Sequence, residues 1–148
     1  MWKILLSIVT LMLCLGAKAQ SSYLLVDAQS IASAHVRLKV KTYCNKRKLV
    51  DYEAICAAAR IVLFQGVPNT QYKKALLPDG EQTSYQQHPK YFNDFFNSRI
   101  SDFISSCVRL SEFKKADKNK ATLYEIEVNI LQLRKDLEKN KVKRKLGL

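Results

Sequence analysis

Alternation of apolar and polar positions is strongest over residues 34–44. Val36, Leu38, Val40, Thr42 and Cys44 fall on one side, and His35, Arg37, Lys39, Lys41 and Tyr43 on the other. A period of two is the signature of a half-buried strand. The first set should face a core, and the second should present an adjacent basic row, Arg37, Lys39 and Lys41, to solvent. Before it, 22–28 (SYLLVDA) is a shorter apolar run, read as a first strand or a docking arm. After it, 45–48 (NKRK) breaks the strand. The period then changes. Tyr52, Ile55, Cys56, Ala59, Val62 and Leu63 recur at steps of three and four, one face of a helix. Asp51 is placed to cap that helix, Gly66 to end it, and Pro68 cannot continue it. The segment 61–64 (IVLF) is β-prone, so the last turn is open between helical and extended.

Residues 66–88 read as a long polar connection containing Pro68, Asn69 and the turn 78–80 (PDG). A loop of this length in a small domain is functional or mobile. Tyr72, Leu76 and Leu77 are candidates to pin its middle. Pro89 suits the first position of a second helix. Tyr91, Phe92, Phe95 and Phe96 form an aromatic stripe there, continued by Ile100, Phe103 and Ile104 after a break near Asn97. The stripe reads as helix core, or as an apolar groove should the 66–88 loop lift. Residues 106–114 (Val108, Leu110) and 121–130 (Tyr124, Ile126, Val128, Ile130) read as strands around a turn at 116–120, and so as a hairpin. A helix at about 131–141 closes the pattern with Leu133 and Leu137. The sum is an α+β domain, order β–β–α–α–β–β–α. It has an antiparallel or mixed sheet of about three to four strands, with two to three helices on one face.

The first nineteen residues change the setting. Lys3 is followed by an apolar run over 4–15, relieved by Ser7 and Thr10, and then by the small residues Ala17 and Ala19. This is the layout of a secretory signal peptide, with cleavage expected before Gln20. The run is about twelve residues, whereas a helix needs roughly 20 to span a bilayer, which argues against a retained anchor. Cys14 lies inside the apolar run, so a lipid anchor is not expected. Residues 20–148 would then be one exported domain, periplasmic or secreted, with no transmembrane span.

Charge and cysteine content narrow the partners. Of the 25 Lys and Arg, Lys3 and Lys18 fall in the leader, which leaves 23 against 13 acids. Such a balance attracts anionic surfaces at long range. Outside the cytoplasm these are lipid headgroups, anionic glycans or acidic proteins; nucleic acid is less accessible there. The candidate patch joins the strand row Arg37, Lys39 and Lys41 to the C-terminal tail residues Lys141, Lys143, Arg144 and Lys145. The plainer account is that lysine keeps the protein soluble. Cys44, Cys56 and Cys107 have neither CxxC nor zinc-knuckle spacing. An odd count allows one bridge, and Cys44–Cys107 is the pair that neighbouring strands would permit. His35 and His88 read as surface residues. There is no GxSxG elbow, no P-loop and no dinucleotide fingerprint, and no cofactor or metal is expected. Glu125 and Glu127 share one strand face and read as exposed acids opposite the basic strand.

Three blocks carry a resemblance: AAARIVLFQGVP (57–68), HPKYFNDFFN (88–97) and NILQLRKDLEKNKVKRKLGL (129–148). They resemble small signal-bearing envelope proteins of Bacteroides-type bacteria, over about the whole exported part; the resemblance implies no activity. The element order has a looser likeness to the N-terminal domain of flagellar assembly protein T, which implies an α/β sandwich and no functional residues. Together these readings give a non-enzymatic binding or accessory module of the bacterial envelope. The alternatives are a small secreted enzyme acting on an anionic polymer, and a peripheral membrane protein held through the basic tail.

Overall fold

The computed structural model describes residues 22–113 and 121–143. The leader expected over 1–19 lies outside the described residues, as do Arg144 and Lys145 of the tail. The fold is α+β. Strands β1 (Tyr23–Ala32), β2 (His35–Thr42), β3 (Ile104–Arg109) and β4 (Thr122–Asn129) form one antiparallel sheet in the order β1-β2-β4-β3. Helix α1 (Val50–Arg60) runs on into a π turn (Ile61–Gln65). Helix α2 (Glu81–Gln87) follows. Helix α3 (Pro89–Asp94) continues as a π turn (Phe95–Arg99) and a 3-10 turn (Ile100–Phe103). Helix α4 (Ile130–Lys139) comes after β4.

The core lies where the two best alternating strands meet the helices. Val36, Leu38 and Val40 of β2 and Tyr124, Ile126 and Val128 of β4 are buried on one sheet face, with α1 packed across both strands. The alanines at 57–59 are buried, so α1 approaches the sheet closely. The aromatic stripe joins this core: Phe92, Phe95, Phe96 and Phe103 are all buried. The 66–88 segment does not leave a groove over it. Tyr85 stacks on Phe92 at 4.9 Å between ring centroids.

Three elements differ from expectation. The run at 22–28 is the edge strand β1, which continues to Ala32. Its register shifts between Leu25 and Asp27 and between Ser30 and Ala32, and each bulge breaks the period of two. The second half of the long loop is α2. Its sequence, EQTSYQQ, carries one aromatic and no apolar periodicity; Glu81 pairs with Arg60 of α1 at 2.9 Å. Asp51 does not cap α1. The cap position is Leu49, without a side-chain bond. The Asp51 carboxylate instead accepts hydrogen bonds from Arg109 (2.6 Å) and the buried Tyr124 hydroxyl. These two bonds, Arg109's the larger, hold its carboxyl below the ordinary range. They tie the start of α1 to β3 and β4.

The π turn at 61–65 resolves the ambiguity of IVLF and places the loop. Gly66 N–H donates to the Ile61 carbonyl at 2.8 Å, five residues back. That leaves the next carbonyls free. Val62 and Leu63 accept instead from the N–H groups of Leu76 (3.2 Å) and Leu77 (2.8 Å). Leu76 and Leu77 are buried, and the Tyr72 hydroxyl donates to the Ser33 carbonyl. All three expected pins hold, so residues 66–80 are stapled to the body.

Candidate functional site

The basic strand row is not a free cationic patch. β2 does present Arg37, Lys39 and Lys41 on the open sheet face, but pairing with β1 and β4 brings acids beside them. Glu127 lies opposite Arg37, and Glu125 and Asp27 lie opposite Lys39. Arg37 reaches Glu125 at 3.7 Å and Glu127 at 3.6 Å, Lys39 reaches Asp27 at 3.8 Å, and His35 Nδ1 lies 3.1 Å from Glu127. Two lasting cations, Arg37 and Lys39, meet three carboxylates, while Lys41 stands between Leu24 and Leu123. Such cross-strand pairs support register modestly, at about 0.2–1 kcal/mol each. They leave little field for an outside anion.

The other half of the expected patch goes elsewhere. α4 ends over the stapled loop, on the helical side of the molecule, so Lys141 and Lys143 do not meet the strand row. Lys143 Nζ donates to the Leu76 carbonyl at 2.8 Å. There the loop and the end of α4 enclose a cleft of about 710 Å³. Lys74 from the loop and Arg134, Lys141 and Lys143 from α4 and its exit line it, with Asp79 and His88 at its border. Arg134 also pairs with Glu138 at 3.3 Å. Burial, and then the Arg134 charge, lower the Lys143 pKa, while Glu138 opposes the change. An anion entering this cleft would relieve that repulsion. Lys74 and Arg134 were not visible as partners in the sequence, because the loop brings them together only through the Val62 and Leu63 carbonyls.

Lys141 carries a conformational cost. It follows the last helical turn with φ +59°, the left-handed region that glycine usually occupies at this place. Holding a lysine there costs about 1 kcal/mol. Lys141→Gly should therefore raise the unfolding midpoint in urea, by about 1 kcal/mol of stability. An unchanged or lower midpoint would mean the lysine side chain supports the fold.

A second cleft, about 640 Å³, lies next to the first and shares Gln87 and His88 with it. Lys90, Tyr91, Asp94 and Arg99 line it. Three of these groups, Tyr91, Asp94 and Arg99, are committed to a network with α4. Arg99 donates to Asp94 (2.7 Å) and to Asp136 of α4 (3.0 Å), and the Tyr91 hydroxyl donates to Asp136 (2.7 Å). The Tyr91 pKa is pushed far up by burial and then by Asp136. This is a clamp between α3 and α4. Both carboxylates accept from the same Arg99 guanidinium.

The thiols fit the same picture. Cys44, Cys56 and Cys107 are free. The Cys44–Cys107 bridge that the sequence left open does not form, because β4 lies between β2 and β3. Burial pushes the Cys56 and Cys107 thiols up, away from the reactive thiolate. Among the described residues, no group of three or more His, Cys, Asp or Glu could hold a metal ion, and no helix is long and apolar enough to cross a membrane. No family model, no curated protein and no solved structure matches the chain.

Proposed function

We propose that this chain is a non-enzymatic, exported binding module of the bacterial envelope, and that it receives an anionic partner in the cleft between the 66–80 loop and α4. The observation that carries the reading is the convergence of Lys74, Arg134, Lys141 and Lys143 on one concave surface, where Asp79 is the one acid among the described lining residues. Four cations on one concave surface raise the local concentration of anions. The exported part, with 23 Lys and Arg against 13 acids, has a formal net charge of +10 that steers anions from further away. Export rests on the leader pattern and the envelope setting on the sequence resemblance.

Dextran sulfate is a suitable first probe, measured by calorimetry at low and high salt. Binding should weaken as salt screens the cleft. The double variant Lys74→Glu/Lys141→Glu should lose at least about tenfold in affinity, since each reversal replaces an attraction by a repulsion. Lys39→Glu, on the neutralised sheet face, should bind as the parent does. Equal losses in both variants would overturn the cleft as the site. Vesicles of anionic phospholipid, run beside the polymer, test the peripheral-membrane alternative: binding to vesicles alone would replace the present reading.

A further inference from the structure

The two clefts adjoin. They share Gln87 and His88 where α2 passes into α3, and Asn140 on the wall of one is followed directly by Lys141 on the wall of the other. Taken together as one trough, they place Lys90 on one side of His88 and Lys141, Lys143 and Lys74 on the other. Arg99 is held by Asp94 and Asp136. Of the two acids among the described lining residues, Asp94 is neutralised by Arg99 at 2.7 Å, and Asp79 stands against the four cations of the first cleft.

A single compact anion would use one end only. A chain with charges repeated along it would engage both. The remaining lining narrows the chemistry further. Gln87 supplies an amide that can both donate and accept, as hydroxyl groups require; the Gln71 and Asn140 amides each give one N–H to a backbone carbonyl, of Ser33 (3.4 Å) and Asp136 (2.8 Å), and keep a second. Tyr72 adds a half-buried ring whose own hydroxyl is held by the Ser33 carbonyl; the Tyr91 ring is already taken, stacked on Phe95 at 5.9 Å with the Arg99 guanidinium 5.2 Å from its centroid. Cations and amides on an open surface, with one aromatic ring, suit a carboxylate-bearing sugar chain.

We infer that the occupant is an extended acidic polysaccharide lying across both clefts, contacting Lys90 at one end and Lys74 and Lys141 at the other. The inference rests on the cleft reading above and narrows it to one class of polymer. Stacking of flat bases on an exposed aromatic platform is the usual means of holding single-stranded nucleic acid. Here both rings are only partly exposed, and the amides have no role in that stacking.

The test uses the full chain and four probes: polygalacturonate, galacturonate monomer, neutral dextran and a single-stranded DNA oligonucleotide. Lys90→Glu is the informative variant. It places an acid in the first turn of α3, a position that favours acids, so the fold should be undisturbed; the urea midpoint confirms this. The parent should bind polygalacturonate far more tightly than the monomer and leave dextran unbound. Lys90→Glu and Lys141→Glu should each weaken the polymer by about tenfold, the scale of one lost charged contact. If Lys141→Glu weakens the polymer and Lys90→Glu does not, the two-cleft trough is wrong and the single basic cleft stands. If neither variant matters, both readings fall. Tighter binding of the oligonucleotide, with the same response to the two variants, would overturn the polysaccharide in favour of a nucleic acid.

Discussion

Gly66→Ala is expected to destabilise the fold by about 3–5 kcal/mol, a large share of the total for a domain of this size. Gly66 has φ +84° and ψ 164°, a region that side chains rarely enter. An added Cβ would collide with the Lys73 carbonyl oxygen and approach its carbon to 2.8 Å and the Ala75 nitrogen to 2.9 Å. All three are backbone atoms, so no rotamer can yield. Relief requires lifting residues 73–75 and breaking the bonds from Leu76 and Leu77 to the π turn. Gly80 provides the control. Its φ of +85° is almost the same, but an added Cβ meets nothing within 4 Å. Gly80→Ala should show only the backbone strain, about 1–3 kcal/mol. Urea unfolding of both variants separates strain from collision. Equal losses would mean the loop moves freely over the π turn. Gly66→Ala should also weaken dextran sulfate binding, because Lys74 and the Leu76 carbonyl that holds Lys143 are carried by the same segment.

Much of this architecture can be read from the chain, and the reason is physical. β2 and β4 are central strands with one buried face, so burial writes a clean period of two into Val36, Leu38, Val40 and Tyr124, Ile126, Val128. α1 and the aromatic stripe are equally open to reading, since each packs one face on the core. The elements that escape are those whose partners lie outside their own pattern. β1 is an edge strand with two bulges, and α2 is a helix of seven residues with a single ring to bury. Asp51 sits where a cap is expected, yet its carboxylate is drawn to an arginine and a tyrosine far along the chain. The basic patch fails for the same reason. Alternation shows that Arg37, Lys39 and Lys41 share a face, and Glu125 and Glu127 read as acids opposite it; only strand pairing shows that Asp27 joins them and that Arg37 and Lys39 are the residues these acids meet. The cleft lysines are the converse case. Nothing in 73–75 or 141–143 marks them as neighbours until the π turn offers two spare carbonyls to the loop.

Phe95→Ala is expected to cost about 3–5 kcal/mol, from the transfer energy of the ring and the cavity it leaves. Phe95 is 0% exposed. Its ring lies 5.0 Å from that of Phe96, edge to face, and stacks with Phe103 at 5.4 Å and Tyr91 at 5.9 Å. The surrounding aromatics are rigid and cannot collapse into the gap. Leu110, 45% exposed at the end of the hairpin's first strand, should lose less than about 0.5 kcal/mol on the same truncation. The pair of substitutions decides what the stripe does. As core, Phe95 governs stability, and its loss shifts the urea midpoint. It then reaches the trough only through Tyr91 and Arg99, which join α3 to Asp136 of α4. As the floor of an apolar groove, its loss would leave the midpoint in place and remove an apolar ligand. A Phe95→Ala protein as stable as the parent would therefore reopen the groove and displace the basic trough as the main binding surface. A protein that unfolds earlier, yet still binds polyanion under conditions where it is folded, would leave the trough as the surface that carries function.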